Sequence, residues 1–367
     1  MATACGSSSG SGSDSSALGS DTSAKVNALC PAPNGALAAA AKKEGKVVMS
    51  GSPTDTIRQQ LPAAFQKTYG VTLDYIGTSG KDNAAKLQSE RKAGIYSQDV
   101  FVGGADTMAN SYQKQGWLEP LPQVLTPQEL APTGWQGGKV PYVDPTSEIL
   151  SISKYVSVPI VINTDKVKPG EIKTWKDLLD PKWKGKIATI DPRTPGGAVY
   201  NVGMFQSDPS YGDAFVKQLY KDQKPVLITD SRQGTDDLAR GKYAVALAVG
   251  QLDVSKAMSD GLPIQVVSPD LEQTTSGFGF LGVSNKPPHP NAAKLLAQWL
   301  ACPDGNKAWN TAYDSVSTRT DVTPPSDLPD WTIPKPGKTY FDTNSWDFLT
   351  KGTKQATALI KSLIGNN

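Results

Sequence analysis

Hydroxyl side chains gather at two points in the first quarter of the chain. Ser50, Ser52 and Thr54 follow the apolar run KVVM, and Thr78 and Ser79, with Gly80, follow VTLDYI. Each point is where a strand would hand over to a helix. Hydroxyls beside the unsatisfied amides of a helix start can hold a carboxylate, phosphate or phosphonate. The same residue types are also ordinary helix caps, so both roles stand at this stage.

Two segments further on place an arginine and a hydroxyl beside a glycine-containing turn: DPRTPGG (191–197) and DSRQGTDD (230–237). Either Arg193, with Thr194, or Arg232 could form a two-pronged salt bridge to an oxyanion; an ion pair within the protein is the ordinary alternative. Arg193 is favoured for its clearer position at a strand end. Asp191, Asp230 and Asp253 would orient these basic groups or take up an amino group. The stretch AVGQLDVSKA (248–257) offers Gln251 and Asp253, and Asp106 and Thr275 complete the candidate set.

Catalytic chemistry has little to build on. The chain holds one histidine, His289, in a Pro-Pro-His-Pro turn, so no Ser–His–Asp set can form, and no G-x-S-x-G, G-x-x-x-x-G-K-[ST] or H-E-x-x-H motif occurs. Three cysteines and one isolated histidine do not make a zinc site. Thirty-seven basic residues against thirty-five acidic give a formal charge of +2, with no Lys/Arg run interleaved with aromatics, which argues against a nucleic-acid partner.

These groups need a scaffold, and the apolar spacing supplies one. Helical patterns at 35–44, 54–69 and 81–93 alternate with strand patterns at 46–50, 71–76 and 99–102, and Asp106 is placed to cap a helix through residue 113. Such alternation predicts α/β layers, with a mostly parallel sheet covered by helices on both faces. Residues 149–163 are apolar but interrupted by Lys154 and Pro159, as in a chain passing between domains. A second unit follows, with strands at 186–190, 226–228, 244–249 and 264–267 and helices at 175–179, 197–206, 211–219 and 235–240. Residues 278–283 carry the chain back. A helix at 291–300 then packs the stripe Ala292, Leu295, Leu296 and Trp299.

Several stretches resemble, in order, segments of bacterial ABC-transporter solute-binding proteins, the group that includes ferric-ion, polyamine, sugar-phosphate and phosphonate receptors. They are GKVVMSGSPT (45–54), AAFQKTYGVTLDY (63–75), SQDVFVGG (97–104), PIVINTDKV (159–167), DLLDPKWKGKIATIDP (177–192) and HPNAAKLLAQWL (289–300). The resemblance covers roughly residues 35–321. It implies a two-lobed periplasmic-binding-protein-like α/β fold with a hinge and an interlobe ligand cleft. The lobes would be 25–155 with 281–322, and 156–280. It also implies capture of a small solute by closure, delivery to a membrane permease, no cofactor, no enzymatic turnover and a monomeric receptor. An organic carboxylate or a phosphate-like anion fits the hydroxyls and arginines. The alternatives are a polyamine, using Asp106, Asp253, Trp135 and Tyr142, then ferric ion, or a surface structural module. Ferric receptors of the group use adjacent tyrosines, and none of the twelve tyrosines here adjoins another.

The tails lie outside the resemblance. Residues 1–24 read as a flexible Gly/Ser tether. They suit either an intracellular chain or one whose signal peptide has been removed. Cys5, in Ala-Cys-Gly, resembles the lipidated start of a mature bacterial lipoprotein, as against a stray cysteine; the expected location is the extracytoplasmic membrane surface, or else the soluble periplasm. The family topology would bring Cys30 and Cys302 into one lobe, where an exported protein could join them as a disulfide. Residues 323–367 read as a Pro-rich strap and an amphipathic helix packed on the body.

Overall fold

The computed structural model describes residues 27–366. Thirteen strands among them form three sheets. In chain order these are β1 (Lys46–Gly51), β2 (Thr72–Gly77), β3 (Val100–Gly103), β4 (Leu150–Ser151), β5 (Tyr155–Val156), β6 (Ile160–Asn163) and β7 (Ile187–Ile190). There follow β8 (Val226–Ile228), β9 (Val245–Leu247), β10 (Ile264–Val267), β11 (Gln273–Thr275), β12 (Phe280–Val283) and β13 (Phe341–Asp342).

The first sheet has the order β2-β1-β3-β12-β4 and the second β10-β6-β9-β7-β8. Both are mixed, where the alternation predicted mostly parallel sheets. β1, β2 and β3 run parallel, but β12 is antiparallel to β3 and β4. In the second sheet β7, β8 and β9 are parallel, while β6 is antiparallel to both its neighbours, β9 and β10. The antiparallel members are strands next to the crossings: a chain entering or leaving a lobe joins the sheet in whichever direction it travels. Between the lobes, β5, β11 and β13 make a small third sheet through which the chain passes.

Helices α1 (Ala36–Glu44), α2 (Asp55–Tyr69) and α3 (Gly80–Lys92) flank the first sheet. Gly45 and Gly70 end α1 and α2 in the left-handed conformation, φ 81° and 66°, and a strand begins within two residues of each. Only glycine takes that turn without a Cβ clash. Helices α4 (Gly197–Ser207), α5 (Gly212–Lys217), α6 (Ser231–Ala239) and α7 (Gln251–Ser259) belong to the second sheet. The chain then returns to the first lobe with α8 (Pro290–Ala301) and α9 (Pro303–Ala312), and α10 (Thr353–Ile364) ends it. The α8 stripe packs as expected: Ala292, Leu295, Leu296 and Trp299 are buried, and Trp299 meets Phe65 with ring centroids 5.2 Å apart. Each such Leu contributes about 1.5–3 kcal/mol by leaving water.

Two local expectations fail. Helix α6 begins at Ser231, not at 235, because Asp230 accepts a hydrogen bond from the Gln233 amide at 2.7 Å and caps it there. Gly234 is therefore inside the helix rather than in a turn, where a Cβ would come within 2.2 Å of Ile228 Cδ1. Asp106 does not cap: its backbone is already right-handed helical, its carboxylate accepts from Asn110 Nδ2 at 2.8 Å, and Thr107–Gln113 is a π-helical segment. Helix α9 and strand β13 were not anticipated. Pro303 and Asp304 in the first turn of α9 were its available signal.

Cys30 and Cys302 are joined by a disulfide with Cα atoms 5.2 Å apart. Cys5 and the tether at 1–24 lie outside the described residues. No helix among the described residues is long and apolar enough to cross a membrane.

Candidate functional site

Strands β1 and β2 pair in parallel with Gly51 opposite Gly77, so their carboxyl ends finish level. Loops that leave such ends face the space where open α/β sheets take ligands. Ser50 is only 4% exposed there and accepts from Asn83 Nδ2 at 3.0 Å. That amide is also shared with Tyr112 and Gln98, so Ser50 is the top of a buried polar network beneath the surface. Ser52 and Thr54 join hydroxyl to hydroxyl at 2.7 Å, and Tyr75 donates to the Ser52 carbonyl at the same distance. Gly51 permits this approach, since a Cβ there would lie 2.5 Å from the Tyr75 hydroxyl.

At the second corner Ser79 caps α3 and also donates to Asp82 Oδ2 at 2.7 Å, so its cap role is met. Thr78 lines a recess with Ser50, Gly51 and Phe278, whose volume of about 10 Å³ admits at most one water. Over this corner lies a group that sequence reasoning missed. The Arg58 guanidinium sits close enough to Gly77 that a Cβ would be 2.8 Å from Nη2, and it has no hydrogen bond or ion pair among the described residues. Its signal was a cation close to the N-terminus of a helix, where the helix dipole disfavours positive charge.

The second lobe distributes its candidates differently. Arg193 turns its fork onto Asp191, with Nε 2.9 Å from Oδ1 and Nη2 2.6 Å from Oδ2. Those hydrogen bonds hold the Asp191 carboxyl below its ordinary range and raise the guanidinium. Thr194 donates to the Asp191 carbonyl at 2.8 Å, closing the loop on itself. Arg232 and Asp253 line a groove of about 310 Å³ between α6 and α7, apart from the first-lobe corners, and Asp253 accepts from Ser231 at 2.5 Å. Thr275 ends β11, and its hydroxyl accepts from the Gly277 amide at 3.1 Å. Asp106 lines a separate cavity with Tyr200. Trp135 is core, 1% exposed, and its indole N–H bonds the Glu129 carbonyl. Among the described residues no three His, Cys, Asp or Glu side chains are placed to hold a metal ion.

One candidate joins the lobes directly. Gln251, 8% exposed at the start of α7, donates through Nε2 to the Asp314 carbonyl, beyond α9 on the first lobe. Asp314 takes φ 48°, and burial, then the Asp327 carboxylate, push its carboxyl above the ordinary range. A carboxyl raised in this way binds more protons folded than unfolded. Its contribution to stability therefore falls as pH rises from the unfolded value, about 3.9, through the folded one. Asp314→Asn keeps a residue that tolerates this backbone and removes the loss. The variant should melt above the parent at neutral pH and approach it at pH 3 in calorimetric scans. An equal offset at both pH values would exclude titration as the cause.

The fold is shared with known receptors. AfuA from Actinobacillus pleuropneumoniae, a periplasmic binding protein solved with fructose-6-phosphate, superposes with a TM-score of 0.65 at 19% identity, covering 88% of this chain and 98% of that one. Iron-bound HitA from Pseudomonas aeruginosa gives a TM-score of 0.66 at 14% identity, covering 87% and 99%. An uncharacterized protein of Haemophilus influenzae is 25% identical over 350 residues, which is 90% of this chain and 92% of its own. Residues 60–335, well over half of the chain, match the family described as bacterial extracellular solute-binding protein, and the chain belongs to that family of two-lobed solute receptors.

Proposed function

We propose that the protein captures a small organic carboxylate or phosphate-like anion between the strand-end loops of its two lobes and delivers it to an ABC permease. The observation that carries this reading is the Arg58 guanidinium, unpartnered among the described residues, beside the starts of α2 and α3. A cation there, with Ser52, Thr54 and Thr78 at hand, favours negative charge. AfuA was solved with a phosphorylated sugar, which supports a phosphate group as one form of that charge. Closure by the second lobe, through the loop bearing Arg193 and through Gln251 at the start of α7, excludes water and strengthens the contacts. The receptor acts as an exported monomer, tethered at the extracytoplasmic face through a lipid on Cys5.

Calorimetric titration of solute-stripped protein with small carboxylates, phosphates, phosphonates, polyamines and ferric ion tests this. One anion should saturate at one site per chain. Arg58→Met should weaken it by roughly 10- to 100-fold, the worth of about 1.5–3 kcal/mol for a hydrogen bond to a charged group. Saturable polyamine or ferric binding would defeat the reading, and unchanged anion affinity in the variant would remove Arg58 from the site.

A further inference from the structure

A cavity of about 390 Å³ opens where three parts of the chain meet, and only one of its walls was foreseen. Asp106 and Asn110 come from the first lobe, Tyr200 from α4 of the second, and Lys354, Thr357 and Lys361 from α10. Tyr200 is 8% exposed, yet its hydroxyl has no hydrogen-bond partner among the described residues. Burial and the Asp106 carboxylate across the cavity push that phenol up. Asp106 uses Oδ1 on Asn110, which leaves Oδ2 for a donor. The phenol and the carboxylate line one cavity, where a group that both donates and accepts can bond to both of them. A hydroxyl does both.

Helix α10 adds the other sign to the lining. Lys354 and Lys361 lie two turns apart on one face of α10, about 10 Å along its axis, and neither has an ion pair or hydrogen bond among the described residues. Thr357, between them, donates to the Thr353 carbonyl at 2.8 Å and keeps its lone pairs free. The cavity lining therefore combines an acceptor and a phenol with two lysines.

Resting on the reading of the chain as a receptor for a small anion, and not on Arg58 as the group that holds it, we propose that this cavity is where the solute is selected. It takes a small hydroxylated carboxylic acid, with the anion toward Lys354 and Lys361 and a hydroxyl between Tyr200 and Asp106. Because Asp106 and Tyr200 belong to different lobes, that hydroxyl favours the closed arrangement over the open one. The C-terminal helix is then a wall of the binding site as well as packing.

The test is calorimetry with three probes: gluconate, hexanoate as the acid without hydroxyls, and sorbitol as the hydroxyls without the acid. Gluconate should bind one per chain, at least tenfold tighter than either of the others. Lys354→Met with Lys361→Met, two exposed positions, should lower gluconate affinity at least tenfold and leave the melting temperature in place. Tyr200→Phe should lower it severalfold while keeping the ring packed. The inference is overturned if gluconate fails to bind or binds no better than hexanoate or sorbitol, even where another anion saturates the protein. It is also overturned if the lysine pair leaves gluconate affinity unchanged while Arg58→Met abolishes it, a result under which the receptor reading stands and only this wall is lost.

Discussion

Cys30→Ser should lower the unfolding free energy by about 3–5 kcal/mol, the higher part of the range for loss of a native disulfide. The bridge closes a loop across a sequence separation of 272 residues. The chain-entropy relation gives about 5–6 kcal/mol for such a loop, and measured losses run lower. Cys302 is fully buried between α8 and α9, whereas Cys30 is 8% exposed, so serine at position 30 reports the loop with the smaller cavity. The bridge also fixes the segment that Tyr69 holds through the Pro31 carbonyl at 3.0 Å and Asp304 holds through the Asn27 amide at 2.8 Å. Urea unfolding of parent and variant, with and without reductant, checks this. Reductant should bring the parent to the variant's midpoint, and a midpoint unmoved by both changes would mean that the bridge contributes nothing.

The second large effect lies at the other end of the chain. Phe348 and Leu349 are neighbours in sequence but enter different cores. Phe348 packs edge-on to Tyr200 and Phe341 in the second lobe, with centroids 5.7 and 4.9 Å away, while Leu349 is fully buried in a cluster with Phe101, Met108 and Phe280 of the first. Gly203 and Gly352 make the slot for the Phe348 ring, since a Cβ at either would come within 2.2 or 2.5 Å of it. Asn110 fixes the turn by donating to the Leu349 carbonyl at 3.0 Å.

Phe348→Ala is expected to cost about 3–5 kcal/mol and Leu349→Ala about 2–5 kcal/mol. Their consequences should differ. Losing Phe348 loosens the C-terminal segment from the second lobe. Losing Leu349 removes its grip on the first, so the lobes can part and the radius of gyration from small-angle scattering should rise without loss of helix signal. A scattering profile identical to the parent's would show that this turn does not restrain the lobes.

How much of this was legible depended on distance along the chain. Helices α1, α2, α3 and α8 and strands β8 and β10 were readable within a residue or two because their signals are local: a cap, a terminal glycine and an apolar period within about fifteen residues. The α6 boundary failed for a local reason as well. Gly234 was taken as turn punctuation, but its missing Cβ serves the contact with Ile228 on a neighbouring strand. Membership of the solute-binding family was carried by ordered segments spread along the chain, each legible in place.

The candidate site was less so. The residue types and strand-end positions of Ser50, Ser52, Thr54 and Thr78 were determined by the sequence alone, as were the absence of paired tyrosines and the single histidine. Only the tertiary structure decided that Ser50 supports a buried network, that Arg193 faces Asp191, that Arg232 and Asp253 share another groove, and that Asp106 meets Tyr200 and α10. It also placed Phe348 and Leu349 in opposite lobes. The reason is physical. Propensity and period act over one or two turns of chain, whereas the partner a charged or hydroxyl group finds is set by how loops and elements pack in three dimensions, whether the partner is near or far in sequence.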